Sequence, residues 1–222
     1  MRPSRHEGAR RTRYSGTASL LVLACTLVAC AASNPATQPD GNGANTTTAT
    51  RVATPGVQPC REFVREVAPT KAPDGTPRAT GLPARRLQCL SRGPDVDLAL
   101  LNGHPVVINL WASWCEPCRA EMPVLQEVAE RARGSVSFLG VVTKDRPLEA
   151  ARFLSEVDVT YAQVIDPDGQ LLGDLRSPGL PVTVILKPDG TIHHTKVGGI
   201  DEAGDLEALI ASAATASEVT SH

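Results

Sequence analysis

The stretch Pro105-Val106-Val107-Ile108-Asn109-Leu110-Trp111-Ala112-Ser113-Trp114-Cys115-Glu116-Pro117-Cys118-Arg119-Ala120-Glu121-Met122-Pro123 decides how the rest of the chain is read. Its first eight residues form a near-continuous apolar run, the pattern of a strand covered on both faces. From Cys118 to Arg133 apolar residues recur at helical spacing (Met122, Leu125, Val128, Ala129, Ala132), interrupted by Pro123 and stopped by Gly134. Two cysteines separated by two residues therefore fall at a strand-to-helix junction. Cys115 is expected at the helix N-terminus, where unpaired amides and the helix dipole stabilise a thiolate and lower its pKa from about 8.5. Cys118, one turn on, is placed to attack a sulfur joined to Cys115. Pro117 restrains the junction at a position whose amide has no helical acceptor, so its missing N–H costs nothing.

Working outward, Val136 to Val142 predicts a second apolar strand, and Pro147 to Val157 a second helix with proline at its start. A short strand around Ala162 to Ile165 leads into the turn Asp166-Pro167-Asp168-Gly169. Val182 to Leu186 and Thr191 to Val197 flank Lys187-Pro188-Asp189-Gly190 as a hairpin, and a helix from about Asp201 to Ala213 closes the pattern. Upstream, Leu87-Gln88-Cys89-Leu90 reads as an early edge strand. The order implies an α/β fold, a mixed central sheet flanked by helices, with an N-terminal extension.

The segment from Asn109 to Pro123 resembles the active-site region of the thioredoxin superfamily, and within it the TlpA/ResA branch that includes the DsbE-type cytochrome c maturation reductases. The resemblance runs from about residue 90 to 212 and includes Gly179-Leu180-Pro181-Val182-Thr183. It implies a thioredoxin-like fold and a thiol–disulfide oxidoreductase whose catalytic residues are Cys115, Cys118 and Pro181. Pro181 matches a cis-proline held opposite the cysteine pair, and Leu180, Trp114 and Pro117 border the substrate. It also implies exported protein disulfides as substrates, apocytochrome c among them, and a thiol-type electron donor at the membrane. A monomer is expected, with no cofactor beyond the redox-active Cys115–Cys118 disulfide and no metal.

Three positions bear on mechanism. Thioredoxin itself has a buried aspartate where this chain has Asn109, and an amide cannot accept the proton Cys118 must lose. Glu116, between the cysteines, opposes thiolate formation at Cys115 and is a candidate base once substrate docks. Lys144 and Asp145 follow the second strand, where the branch often places groups near the site, but as residues both read more simply as surface charge.

The N-terminus reads as an address. Arg2, Arg5, Arg10, Arg11 and Arg13 precede the apolar run Ala18 to Ala29, which is short of the roughly 20 residues that span a bilayer. Residues 1–29 are read as a signal peptide. Leu27-Val28-Ala29-Cys30 resembles a bacterial lipobox, which implies lipidation of Cys30 and a lipoprotein on the extracytoplasmic face of the cell membrane. Residues 30–59, rich in Thr, Ala, Asn, Gly and Pro, read as a disordered tether. The domain is assigned to 60–215, with 60–90 as its extension, and 216–222 to a disordered tail. In an oxidising compartment the two remaining cysteines, Cys60 and Cys89, are expected to pair as a structural disulfide.

Formal charge is −2, from 22 basic and 24 acidic residues. Without residues 1–29, which hold five arginines and one glutamate, the balance is 17 against 23, or −6. No basic stripe of the kind a phosphate backbone requires is present, which argues against nucleic-acid binding. Zinc needs about four ligands, and no second closely spaced cysteine or cysteine-histidine pair accompanies Cys115 and Cys118, while His193 and His194 read as a half-exposed pair in the hairpin strand. One alternative left open is a disulfide-forming oxidant, because the direction of electron flow is set by a potential that varies widely among proteins with this spacing. The other is a non-enzymatic copper-delivery or folding module on the same fold.

Overall fold

The computed structural model describes residues 51–67 and 81–215. Residues 1–50, 68–80 and 216–222 lie outside them, and with them the expected signal peptide, Cys30, most of the expected tether and the tail.

In chain order the elements are α1 (Cys60–Glu66), β1 (Arg86–Cys89), β2 (Val96–Asp97), β3 (Val106–Trp111), α2 (Glu116–Arg131), β4 (Ser137–Thr143), α3 (Pro147–Glu156), β5 (Ala162–Asp166), α4 (Gln170–Asp174), β6 (Val182–Leu186), β7 (Ile192–Val197) and α5 (Ala203–Thr215). The described strands join in one seven-stranded sheet, ordered β2-β1-β5-β4-β3-β6-β7. Strands β3, β4 and β5 are parallel, and the flanking pairs are antiparallel. All residues of β3, β4, β5 and β6 are buried, because helices cover both faces of the central sheet.

Alternation along the strands splits the core in two. Val107 and Trp111 of β3 face Met122, Leu125 and Val128 of α2, Phe153 of α3 and Leu206 of α5. Ile108 and Leu110 face the other way, into a cluster with Phe63 of α1 and Leu171 of α4. The chain therefore crosses from β3 to α2 at one end of a well-buried strand, and that crossing carries the cysteine pair.

Several boundaries differ from expectation. Residues 51–59, assigned to the tether, lie along the domain. The Val52 N–H donates to Leu90 O at 3.1 Å, the Gln58 N–H to Thr160 O at 2.7 Å, and Val57 is buried. These backbone bonds and the buried Val57, with the Arg51–Asp95 ion pair, join to the domain a segment whose composition alone offers no core. β1 is not an edge strand: it lies between β5 and the two-residue β2. α2 continues through Pro123, and its buried face supplies the stabilisation that the missing hydrogen bond removes.

Cys60 and Cys89 form a disulfide, Cα–Cα 6.1 Å, that ties the first residue of α1 to the last of β1. Gly93 permits the close approach. Its φ is +136°, and a Cβ there would lie 2.8 Å from Arg61 N.

Candidate active site

Cys115 is the N-cap of α2. Its own N–H donates to Ala112 O at 3.1 Å, so residues 112–115 turn tightly before the helix begins. The Cys118 N–H donates to Cys115 Sγ at 3.3 Å, so the sulfur occupies the place where a capping oxygen usually sits. Amide and helix dipole together favour negative charge on that sulfur. The two cysteines are disulfide-bonded, Cα–Cα 5.3 Å. Cys118 is 0% exposed and Cys115 5%, so Cys115 is the sulfur that an incoming group reaches.

Trp114 is 62% exposed beside this pair, and Glu116 and Pro117 are exposed on the first turn of α2. The Leu180–Pro181 peptide is cis. Leu110 pairs with Val182 across β3 and β6, so Pro181 lies at the same end of the sheet as Trp111 and the cysteine turn. Pro181 is buried, and Leu180 is half-buried against both cores. The loop after β7 closes on the turn from this side: a Cβ on Gly199 would lie 3.8 Å from Pro117 O. Cys60 and Cys89 belong to the opposite face and have no part in this cluster.

Glu121 is a candidate functional residue that sequence reasoning missed. It lies one turn beyond Cys118 on α2, 2% exposed. Asn109 Nδ2 donates to Glu121 Oε1 at 2.8 Å and to Thr183 Oγ1 at 3.2 Å, and the Ile200 N–H donates to Glu121 Oε2 at 3.0 Å. Burial outweighs these bonds and lifts the carboxyl from 4.5 to about 7, with Lys196 lowering it and Asp201 raising it more weakly. Asn109 Oδ1 is buried without a partner in this polar seam. Its position alone carried a signal: Cys118, Glu121, Met122, Leu125 and Val128 follow the 3–4 spacing of the buried stripe, although a carboxylate there reads by residue type as polar face.

Lys144 and Asp145 are more than surface charge. Lys144 is exposed, but its carbonyl accepts from Trp114 Nε1 at 3.0 Å. Asp145 Oδ2 accepts from the Ser113 N–H at 2.6 Å.

Comparison with known proteins agrees with this geometry. Residues 68–210 match the Redoxin family. The thiol:disulfide interchange protein CycY of Rhizobium leguminosarum bv. viciae is 35% identical over 118 residues, 53% of this chain and 62% of that protein. The thiol-disulfide oxidoreductase ResA of Oceanobacillus iheyensis is 33% identical over 106 residues, 47% of this chain and 55% of that protein. The chain thus spans between 55% and 62% of the length of these two relatives. Among solved structures, MTB DsbF superposes with a TM-score of 0.54 at 26% identity, covering 60% of this chain and 99% of that one. A thiol:disulfide interchange protein DsbE from Chlorobium tepidum gives 0.55 at 24% identity, covering 61% and 96%, a likeness of fold. A sheet of this order with a capped cysteine pair at its end, matched by a family over residues 68–210, has one reading: the chain belongs to the Redoxin family and has a thioredoxin-like fold.

Proposed function

We propose that this chain is a thiol–disulfide oxidoreductase that exchanges disulfides with exported proteins through Cys115 and Cys118. The observation that carries the reading is the cap: a reachable sulfur held at the front of α2 by a backbone amide and bonded to a fully buried partner one turn away. In the reducing direction the Cys115 thiolate attacks a substrate disulfide, forms a mixed disulfide and expels one substrate thiolate. Cys118 then loses its proton and attacks Cys115 Sγ, closing the enzyme disulfide and releasing the second substrate thiolate. The substrate gains two electrons and the enzyme loses two, to be restored by a thiol-type donor.

Asn109 cannot take the proton from Cys118, and Glu121 can. A buried carboxyl that titrates near pH 7 is matched to accepting a proton under neutral conditions. Glu116 is exposed and has a different role, setting the charge beside Cys115.

The names of the relatives support exchange as the activity, and the resemblance to the DsbE-type branch supports reduction, with apocytochrome c as a substrate class. Export and a lipid anchor on Cys30 at the extracytoplasmic face complete the proposal, on the strength of the basic, apolar and lipobox-like pattern of residues 1–30. Insulin reduction driven by dithiothreitol tests the activity. The chain is expected to accelerate it and the Cys115→Ser variant to abolish the acceleration; full turnover in that variant contradicts the assignment.

A further inference from the structure

Ser113 and Trp114 are the central residues of the turn that delivers Cys115, and both are held from outside it. The Ser113 N–H donates to Asp145 Oδ2 at 2.6 Å, while Asp145 Oδ1 accepts from the Arg146 N–H at 2.7 Å. Ser113 O accepts from Arg119 Nη1 at 3.3 Å. The peptide groups on both sides of the Ser113 Cα are therefore fixed, one by an anion and one by a cation. Charge-assisted bonds of this kind are shorter and stronger than neutral ones.

Neither clamp is free to drift. The Arg119 guanidinium lies 4.2 Å over the Phe153 ring centroid, with Nη2 3.7 Å from Glu156 Oε2, so α3 holds it. The turn bearing Asp145 is set by Lys144, a non-glycine residue at φ +51°. Such a conformation costs energy and persists only where its surroundings impose it. Here the Lys144 N–H donates to Asp166 O at 3.1 Å, and the Lys144 side chain lies over Gly169, where any Cβ would collide with it. From this conformation the Lys144 carbonyl meets the Trp114 indole and the next side chain meets the Ser113 amide.

We propose that Asp145 is a positioning residue for disulfide exchange, fixing the Ser113 peptide, with Arg119 opposing it, so that Cys115 Sγ is presented at the N-terminus of α2. Asp145 acts through the backbone and touches neither sulfur nor substrate. The inference rests on the exchange reading of Cys115 and Cys118.

The test uses the full chain in two assays, insulin reduction with dithiothreitol and the equilibrium of the Cys115–Cys118 pair with glutathione. Asp145→Ala is expected to slow insulin reduction about tenfold, since small misplacements of a reacting group are costly, and to move the glutathione equilibrium. Asp145→Asn keeps an oxygen that accepts the same N–H but loses the charge, and is expected to lie between Asp145→Ala and wild type in both rate and equilibrium. A role confined to stability would lower the melting temperature of Asp145→Ala and leave the glutathione equilibrium in place. Amide hydrogen exchange on the unmutated oxidised chain is the second measurement, and the Ser113 amide is expected to be protected. The proposal is overturned by an Asp145→Ala chain that matches wild type in both assays, by an Asp145→Asn chain as impaired as the alanine variant, or by an unprotected Ser113 amide. If Asp145→Ala does not fold, the amide measurement decides alone. An unmutated chain that leaves insulin oxidised overturns the exchange reading itself, whereas an active chain indifferent to Asp145→Ala overturns only the clamp.

Discussion

Glu121 has both carboxylate oxygens occupied by hydrogen-bond donors, yet burial keeps its proton on up to about pH 7. An unfolded glutamate releases that proton near 4.5. Between these values the folded state binds the extra proton, so its contribution to stability declines as pH rises and levels off above about 7. The displacement corresponds to on the order of 3 kcal/mol. Glu121→Gln is expected to remove this decline, read as the difference between wild-type and variant denaturation curves at pH 4.5 and 8. In single-turnover release of a mixed disulfide, the same variant should lose an inflection near pH 7; an unchanged inflection would take Glu121 out of the proton path. The cysteine pair and Pro181 could be placed from sequence because their spacing and neighbours are specific. Glu121 could not, because a glutamate in an amphipathic helix is normally counted with the polar face. Asp145 escaped for a related reason: a Lys-Asp pair after a strand looks solvated, and only the backbone turn at Lys144 aims the carboxylate at Ser113.

Among the elements, the strongly buried ones were legible and the short ones were not. β3, β4 and β6 are near-continuous apolar runs, broken only by small or buried polar residues such as Asn109 and Thr183, because helices cover both sides of them. α4 was hidden in a turn signal: Asp166 reads as punctuation, yet its carboxylate oxygens accept from the Gln170 and Leu171 amides at 3.0 Å each and start a five-residue helix. β2 has two residues and no periodicity to read. α1, seven residues long, would be marginal alone and is held by the burial of Phe63 and by the Cys60–Cys89 bridge. That bridge joins residues 29 apart and is expected to contribute roughly 3–4 kcal/mol by restricting the unfolded chain. The Cys60→Ser/Cys89→Ser variant should lower the unfolding free energy in urea by about that amount while retaining insulin reduction, because the bridge belongs to the sheet face away from α2. An unchanged urea midpoint would deny the bridge a stabilising role.

For the molecule as a whole, the described residues put the reachable sulfur, the exposed Trp114 and the Leu180–Pro181 loop at one end of the sheet, with α1 and its disulfide under the other face. In the proposed setting Cys30 holds this domain at a membrane. Cys30→Ser is accordingly expected to shift the protein from the membrane fraction of producing cells to the soluble extracytoplasmic fraction, with insulin reduction by the purified chain intact; a variant still sedimenting with membranes would contradict the anchor. Everything else depends on the division of labour between one accessible and one enclosed sulfur. The most direct test is mass spectrometry of Cys118→Ser after incubation, in reduced form, with a protein disulfide. The account predicts a stable mixed disulfide mapped to Cys115, because the sulfur that completes the reaction is gone. Absence of any adduct at Cys115 under conditions where the unmutated chain turns over would contradict it.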